Sequence, residues 1–282
     1  MRVATLELDV RTGDVEGNLR AAREALGRAA EGGAQLASLP EMWPTSFVAS
    51  AGGDTFEASG EAVGALADLA AELGVVTVGS AFAAGDEGEL PTNRAHVLAG
   101  GRVVAHYDKV HLFSPTAEHL AFSAGETPPP VFEHPGLGAR IAPIICYDLR
   151  FPAVARAAFR AGAEILVTVA QWPDARAPHW RALVRGRAAE LEGFVVACNR
   201  LGVDEIGRRK LRLSFSGDSA VVRPSGEPSE AIAQEEIEAV GRRASRVTLY
   251  DIDVDEARSL RRQVPVANDE RVDLIRRWIG SE

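Results

Sequence analysis

The chain of 282 residues contains only two cysteines and two lysines. Two cysteines allow one disulfide at most, which is too little to serve as the framework of a chain this long, and a reducing compartment would keep both as thiols. The scarcity of cysteine therefore excludes a disulfide-stapled scaffold. It leaves Cys146 and Cys198 as candidates for a free, reactive thiol.

Long apolar runs, basic clusters and targeting signals are also missing. The apolar stretch Ile165 to Ala170 is too short to span a bilayer, and Met1 to Val10 shows no signal-peptide pattern. The 31 basic and 40 acidic residues give a net charge of -9, and the basic residues are scattered, which argues against a nucleic-acid interface. We expect a cytoplasmic protein that binds neither a membrane nor nucleic acid.

Signatures of two other site classes are absent from the sequence. A dinucleotide-binding domain needs a Gly-rich turn after the first strand, and Val10 to Asp14 does not provide one. His106, Asp108 and His111 are a conceivable metal set, but no His-Glu-x-x-His run and no Cys and His cluster at zinc spacing accompany them. The sequence therefore disfavours both classes.

The sequence does contain an alternation of strand and helix patterns. Strands are predicted over Val3 to Leu8, Leu36 to Leu39, Val75 to Phe82, Ala95 to Leu98, Val103 to Tyr107, Ile141 to Ile145, Ile165 to Val169, Phe194 to Ala197, Ala220 to Val222 and Val247 to Ile252. Helices are predicted over about Val15 to Ala30, Glu61 to Leu73, Ala153 to Ala161, His179 to Leu191 and from near Asp255. This order predicts an α/β fold with helices on the outer faces of mixed sheets, and the absence of a linker predicts one domain over residues 1–282.

Cys146 lies at the end of the predicted strand Ile141 to Ile145, directly before a polar run and the helix that Pro152 introduces. Backbone N–H groups at such a junction point outward and can stabilise a thiolate or an oxyanion. A buried structural cysteine is the alternative interpretation. Cys198 has no cluster of charge before it, and we interpret it as part of the core.

Glu41 and Lys109 are the other two candidates for chemistry. Glu41 follows the apolar strand that ends at Leu39, which places a carboxylate at the rim of a sheet where a general base could act, although an ordinary surface acid is equally consistent with this position. Lys109 is one of two lysines in a chain that otherwise uses arginine for its cations, which hints at a need for a compact ammonium. The alternative is that a lysine stands at this position by chance and has no functional role. An irregular segment, Phe113 to Val131, follows Lys109, and long loops of this kind are often functional.

Three motifs in this order resemble the Glu, Lys and Cys signatures of the nitrilase or carbon-nitrogen hydrolase superfamily. They are Leu39-Pro40-Glu41, Tyr107-Asp108-Lys109-Val110-His111-Leu112-Phe113 and Cys146-Tyr147-Asp148-Leu149-Arg150-Phe151-Pro152. The ω-amidase-like branch is similar also in Gln171-Trp172-Pro173, Trp180, Cys198-Asn199-Arg200 and Phe215-Ser216-Gly217-Asp218-Ser219. The resemblance covers nearly the whole chain and implies an α-β-β-α sandwich of two facing sheets that forms a homodimer.

The resemblance also implies a role for each motif residue. Cys146 would attack an amide carbonyl and form a thioester, Glu41 would move the protons, and Lys109 with the backbone N–H of Tyr147 would stabilise the oxyanion. Glu118, in the irregular segment, matches a second acid that is common in the superfamily. Water would then hydrolyse the thioester, so that neither a metal nor an organic cofactor is required.

The substrate follows less directly from the sequence. Tyr147-Asp148 follows the nucleophile where nitrilases typically have Trp-Glu, which favours an amide over a nitrile. Arg150 could bind a substrate carboxylate or form a structural ion pair. Three aromatic residues could wall the pocket or simply pack: Phe47, Trp172 and Trp180.

Several alternatives remain open at this point. The substrate implied by the resemblance is the ω-amide of a 2-oxo acid such as 2-oxoglutaramate, with 2-oxosuccinamate, deaminated glutathione and N-carbamoyl compounds as alternatives. A Cys-His hydrolase would call on His111 or His119, but neither lies in a papain-like or glutaminase-like signature. A homologue that binds without catalysis is a further alternative, which the presence of all three motif residues disfavours.

Overall fold

The structure, a computed structural model, describes residues 1–48, 53–85, 89–206, 209–238 and 245–280. Strands and helices follow each other in the alternating order that the sequence predicts. In chain order they are β1 (Arg2–Glu7), α1 (Val15–Glu31), β2 (Leu36–Ser38), α2 (Gly53–Leu73), β3 (Val76–Ala83), β4 (Thr92–Ala99), β5 (Arg102–Asp108), β6 (Phe132–His134), β7 (Ala139–Ile145), α3 (Pro152–Arg160), β8 (Ile165–Ala170), α4 (Ala177–Leu191), β9 (Phe194–Asn199), β10 (Leu201–Ile206), β11 (Leu211–Ser216), β12 (Ala220–Val222), β13 (Ala233–Ile237), β14 (Ser245–Asp251), α5 (Val254–Gln263), α6 (Val266–Asp269) and α7 (Val272–Ile279).

Seven strands form the first sheet, in the order β13-β14-β1-β2-β3-β4-β5. The neighbours β1, β2 and β3 are parallel, and the other pairs are antiparallel. Helices α1 and α2 cover the outer face, because apolar residues such as Leu26 and Leu66 recur at helical spacing and are buried there. Asp14 caps α1 by accepting a hydrogen bond from the backbone N–H of Gly17 at 3.0 Å.

Five strands form the second sheet, in the order β12-β9-β8-β7-β6, with β7, β8 and β9 parallel. All six residues of β8 are buried and five of them are apolar, because both faces of the strand are covered. The strands β2 and β3 contact β8, so that residues of the two sheets, among them Leu36 and Val167, share one core. Helices α3 and α4 contact β7 and β9 from the other side. The predicted α-β-β-α sandwich is therefore confirmed.

A two-stranded hairpin of β10 and β11 lies outside both sheets. The sequence patterns missed this hairpin, as well as β6, β13 and the helices α6 and α7. In β13 the residues Ala233 to Glu236 are exposed, so the apolar alternation that reveals a strand is missing. Helix α2 begins at Gly53 rather than near Glu61, since its first turns are too polar for the helical pattern to show. Within the described ranges no helix has the length and apolarity needed to cross a membrane.

The segment between β5 and β6 is largely irregular, as predicted. It contains two single-turn 3-10 helices, Ser114–Thr116 and Glu118–Leu120. Ala117 joins them in the left-handed region, with φ of 59°. This reversal of the backbone places Glu118 in the interior, where its side chain is 1% exposed, although His119 and Leu120 directly after it are exposed.

Candidate active site

Four strand ends meet at one end of the sandwich. Glu41 follows β2 and Lys109 follows β5 in the first sheet, whereas Cys146 follows β7 and Gln171 follows β8 in the second. The backbone N–H of Glu41 donates to the carbonyl of Ala170 at 3.4 Å, which ties the two sheets together at this point. The structure thus brings the three predicted triad residues into one pocket.

Cys146 is held in a left-handed backbone conformation. Its φ is 43°, while Ile145 before it is extended, and the chain then enters the 3-10 turn Cys146–Arg150. A side chain in this conformation costs about 1–2 kcal/mol, so the surrounding structure must hold it there. Such strain is typical of functional positions, and the thiol faces the pocket.

Burial raises the pKa of the Cys146 thiol well above its ordinary value. The nearby Glu41 carboxylate, which hydrogen-bonds with the thiol, raises this pKa further, whereas Lys109 and the backbone N–H of Gln171 lower it. Backbone N–H groups at the strand end can stabilise a thiolate, but here the desolvation of the thiolate outweighs the favourable contacts. The resting nucleophile is a thiol that needs a base.

Glu41 is fixed through both carboxylate oxygens. Oε1 accepts hydrogen bonds from Lys109 Nζ at 2.7 Å and from Asn93 Nδ2 at 2.9 Å. Oε2 accepts the backbone N–H of Gln171 at 3.0 Å. Asn93 carries no sequence signal that points to the site, and Gln171 stands out in the sequence only as part of the motif Gln171-Trp172-Pro173. Together these contacts leave the buried carboxylate one orientation, toward Cys146.

Lys109 bridges two buried carboxylates. Its Nζ lies 2.7 Å from Glu41 Oε1 and 2.8 Å from Glu118 Oε2, and all three side chains are 1% exposed. Burial by itself would lower the pKa of Lys109, but the charges of Glu118 and Glu41 outweigh burial and raise the pKa above its ordinary value. Glu118 is also held by the backbone N–H of Phe113 at 2.6 Å. Lys109 is therefore a charged ammonium at neutral pH.

Asp148 anchors the turn that carries Cys146. Its carboxylate is fully buried and accepts hydrogen bonds from the Tyr107 hydroxyl at 3.0 Å and from the His111 backbone N–H at 2.9 Å. The ring of His111, whose Nδ1 lies 2.9 Å from the same carboxylate, stacks on Phe151 at 3.6 Å. These contacts link the end of β5 to the nucleophile turn, so that the motifs of Lys109 and Cys146 support each other.

The predicted pocket residues fall into two groups. Phe47, Tyr147, Arg150 and Trp172 line the pocket, whose empty space, including the mouth, is about 510 Å³. Trp180, for which a pocket wall and plain packing were both open, does not line the pocket and belongs to the packed interior. It is 1% exposed, and its indole N–H donates to the carbonyl of Asp218 at 2.7 Å.

The hairpin supplies a part of the pocket that the sequence did not reveal. Ile206, Leu213 and Phe215 of β10 and β11 face the same space as the triad. At the base of the hairpin, Arg200 is fully buried, with its guanidinium 4.7 Å from the ring centroid of Phe215. Its Nη1 donates to Gln171 Oε1 at 3.0 Å. One buried arginine therefore connects the hairpin to the residue that holds Glu41.

Arg150 lies at the mouth of the pocket without a carboxylate partner in the described part of the chain. Its guanidinium carbon is 4.7 Å from the ring centroid of Trp172 and 5.9 Å from that of Tyr147. Its two terminal nitrogens lie 3.3 Å from His179 Nδ1. The structural ion pair considered as an alternative for Arg150 is therefore not formed within the described residues.

The metal set considered from the sequence is dispersed. Asp108 pairs with Arg94 at 2.7 Å, and His111 pairs with Asp148. Among the residues that the structure describes, no group of three or more His, Cys, Asp and Glu side chains is arranged to hold a metal ion.

Cys198 is buried in the core, as predicted, and its thiol donates to the carbonyl of Leu6 at 3.4 Å.

Comparison with known proteins gives a consistent result. The model of the carbon-nitrogen hydrolase family matches residues 2–262. A 2-oxoglutaramate amidase of Bacillus subtilis is 29% identical over 273 residues, which is 96% of this chain and 98% of that protein. The omega-amidase YafV of Escherichia coli is 34% identical over 195 residues, 69% of this chain and 71% of that protein.

A solved structure shows the same fold. An amidase from Nesterenkonia sp. AN1 superposes with a TM-score of 0.79 at 27% identity, and the match covers 99% of each chain. In that structure acrylamide has added to the active-site cysteine.

Proposed function

The chain belongs to the carbon-nitrogen hydrolase family and acts on amides, and from this premise we propose that it hydrolyses the ω-amide of a 2-oxo acid such as 2-oxoglutaramate. The products are a dicarboxylate and ammonia, and the reaction passes through a thioester on Cys146. The observation that carries the chemistry is the buried cysteine beside a carboxylate that an ammonium and two amides hold in place.

The first half of the reaction forms the thioester. Glu41 takes the thiol proton as Sγ of Cys146 bonds to the amide carbon, because the raised pKa of the thiol makes a base necessary. The carbonyl oxygen becomes an oxyanion, which Lys109 and the backbone N–H of Tyr147 stabilise. Glu41 then passes the proton to the nitrogen as the C–N bond breaks, and ammonia leaves.

The second half of the reaction hydrolyses the thioester. Glu41 takes a proton from water as its oxygen bonds to the thioester carbon, and the same oxyanion site stabilises the intermediate. The C–S bond breaks, the thiolate recovers a proton from Glu41, and the carboxylic acid product loses its own proton to solvent. Glu118 acts through Lys109, whose ammonium it holds at 2.8 Å, and is therefore a positioning residue.

The choice of substrate is supported by Arg150 and by the relatives. Arg150 lies four residues after the nucleophile on the same 3-10 turn and lines the pocket. A guanidinium in this position suits a carboxylate at the far end of a short amide. Relatives named 2-oxoglutaramate amidase and omega-amidase are consistent with such a substrate.

A panel of ammonia-release assays tests the proposal. The substrates are 2-oxoglutaramate, 2-oxosuccinamate and deaminated glutathione, with an N-carbamoyl amino acid and a nitrile as controls. We expect the highest kcat/KM for 2-oxoglutaramate and no turnover of the nitrile. Cys146→Ala should abolish turnover, whereas Cys198→Ala should retain it. Higher kcat/KM for deaminated glutathione or the N-carbamoyl compound would replace the proposed substrate, and turnover by Cys146→Ala would refute the mechanism.

The homodimer and the cytoplasmic location remain predictions from the sequence. Light scattering on the purified chain measures the first, since a dimer has twice the mass of the 30.0 kDa chain. Fractionation of cells that express the chain measures the second.

A further inference from the structure

A second arginine lies at the same pocket mouth as Arg150. Arg176 is exposed, lines the pocket, and stands at the end of the 3-10 turn Asp174–Arg176 just before α4. Its guanidinium donates to the neighbouring carbonyl of Ala175 at 3.2 Å and meets no carboxylate within the described ranges. Most of the arginines outside the pocket, by contrast, are engaged with acids, as Arg181 and Arg185 on α4 are.

Trp172 holds both arginines at this place. Its indole N–H donates to the backbone carbonyl of Arg176 at 2.9 Å, while the guanidinium of Arg150 lies over its ring at 4.7 Å. Trp172 itself is buried and is fixed by its backbone N–H, which donates to Asn199 Oδ1 at 2.7 Å. Trp172 therefore fixes the guanidinium of Arg150 and the backbone of Arg176 on one buried support.

We infer that Arg176 and Arg150 together form a carboxylate subsite, which makes Arg176 a specificity-determining residue for the acid end of the substrate. This inference rests on the proposed function. Two acids, Glu41 and Glu118, and three bases, Lys109, Arg150 and Arg176, line the pocket, so its lining carries a net charge of +1. Lys109 lies between the two acids, which leaves the positive charge at the mouth. A carboxylate can accept from one guanidinium with each oxygen, and such charge-assisted hydrogen bonds are the strong ones. A neutral amide would gain nothing from either arginine.

Paired kinetics on two substrates tests the inference. The substrates are 2-oxoglutaramate and propionamide, a short amide without a carboxylate, and the variants are Arg176→Gln, Arg176→Lys and the control Arg185→Gln. Arg185 lies on α4, pairs with Glu227 and does not line the pocket. For Arg176→Gln we expect a 10- to 100-fold rise in KM for 2-oxoglutaramate, because the substrate carboxylate loses one or two charge-assisted hydrogen bonds. The kcat/KM for propionamide should be unchanged. The KM of Arg176→Lys for 2-oxoglutaramate should lie between those of the wild type and Arg176→Gln. Arg185→Gln should have the KM of the wild type.

Binding of the product analogue gives a second readout. Calorimetry on Cys146→Ala measures the affinity for 2-oxoglutarate without turnover, and adding Arg176→Gln should weaken it by a similar factor. Equal effects on the two substrates, or no effect on either, would overturn the role of Arg176. Failure of the wild type to hydrolyse 2-oxoglutaramate while it hydrolyses propionamide would instead overturn the proposed function. Because Arg176 is exposed, we expect its variants to keep the thermal midpoint of the wild type.

Discussion

Gln171 binds Glu41 twice. Its backbone N–H donates to the Glu41 carboxylate at 3.0 Å, and its side-chain amide donates to the Glu41 carbonyl at 2.9 Å. The two residues are 130 positions apart and belong to different sheets. The second sheet therefore sets the position of the base, while the first sheet supplies it.

Arg200→Met should impair both stability and turnover. The change removes the hydrogen bonds from the buried guanidinium to Gln171 and to Ser46, which lie at 3.0 and 3.2 Å. It leaves these two groups with only the 3.4 Å hydrogen bond from the Ser46 hydroxyl to Gln171 Oε1 between them. We expect a loss of about 2–4 kcal/mol in the free energy of unfolding. We also expect kcat to fall about tenfold, since a misplaced base costs roughly 1–2 kcal/mol in transition-state stabilisation.

Urea denaturation and ammonia release measure these two effects. Arg212→Met is the matched control, because Arg212 is exposed on β11 of the same hairpin. Unchanged stability of Arg200→Met, with Arg212→Met as the reference, would show that the buried arginine contributes no net stabilisation.

Cys146→Gly should be more stable than Cys146→Ala. Both variants lack the thiol, but glycine adopts the observed φ of 43° without steric cost. The relief of left-handed strain, about 1–2 kcal/mol, exceeds the extra flexibility that glycine adds to the unfolded chain, about 0.4–1 kcal/mol. The net gain should be between about 0 and 1.6 kcal/mol in favour of glycine. Thermal unfolding of the two inactive variants makes the comparison, and a lower midpoint for glycine would mean that the turn relaxes in the alanine variant.

Iodoacetamide should alkylate one cysteine per native chain. Cys146 lies in the pocket, whereas Cys198 is fully buried and burial also raises the pKa of its thiol. Because the pKa of Cys146 is raised as well, the rate should be low at neutral pH and increase as the pH rises. Intact mass spectrometry should find one adduct for the wild type and for Cys198→Ala, and none for Cys146→Ala. Two adducts on the wild type would place Cys198 outside the core.

Glu118→Gln should move the alkaline limb of the kcat/KM profile to lower pH. Glu118 and Glu41 raise the pKa of Lys109, so losing one negative charge lowers it and the ammonium deprotonates sooner. The amide oxygen can still accept the Phe113 N–H, and a single Lys109–Glu41 pair remains, so we expect the fold to persist. The exposed Glu126 lies in the same loop, and Glu126→Gln should leave the profile unchanged.

The same substitution should change the pH dependence of stability. A folded-state pKa above the ordinary 10.5 means that Lys109 stabilises the fold fully below pH 10.5 and progressively less as the pH rises above it. The loss should continue to a higher pH in the wild type than in Glu118→Gln, because it ends where the pH passes the folded-state pKa. A loss that ends at the same pH in both proteins would indicate that Glu118 does not control the charge of Lys109.

The sequence predicts those features of the site that depend on residues close together along the chain. Glu41, Lys109 and Cys146 each follow a short apolar run, so their placement at strand ends was visible locally. The partners Asn93 and Gln171 lie 52 and 130 residues from Glu41, and only the packing of the two sheets brings them together. The raised pKa of Cys146 and the burial of Trp180 likewise depend on tertiary packing. Leu213 and Phe215 resemble ordinary core residues in the sequence, and only the position of the hairpin shows that they face the pocket.

The division of the site between two sheets also has a consequence for folding. Cys146 and Glu41 follow strands of different layers, so they meet only when the two layers dock. Contacts across so many residues close late, because the entropy of closing the intervening chain must be overcome first. Recovery of ammonia release during refolding therefore reports on the docking of the two layers. Its delay behind the circular dichroism signal would measure the time between the formation of secondary structure and docking.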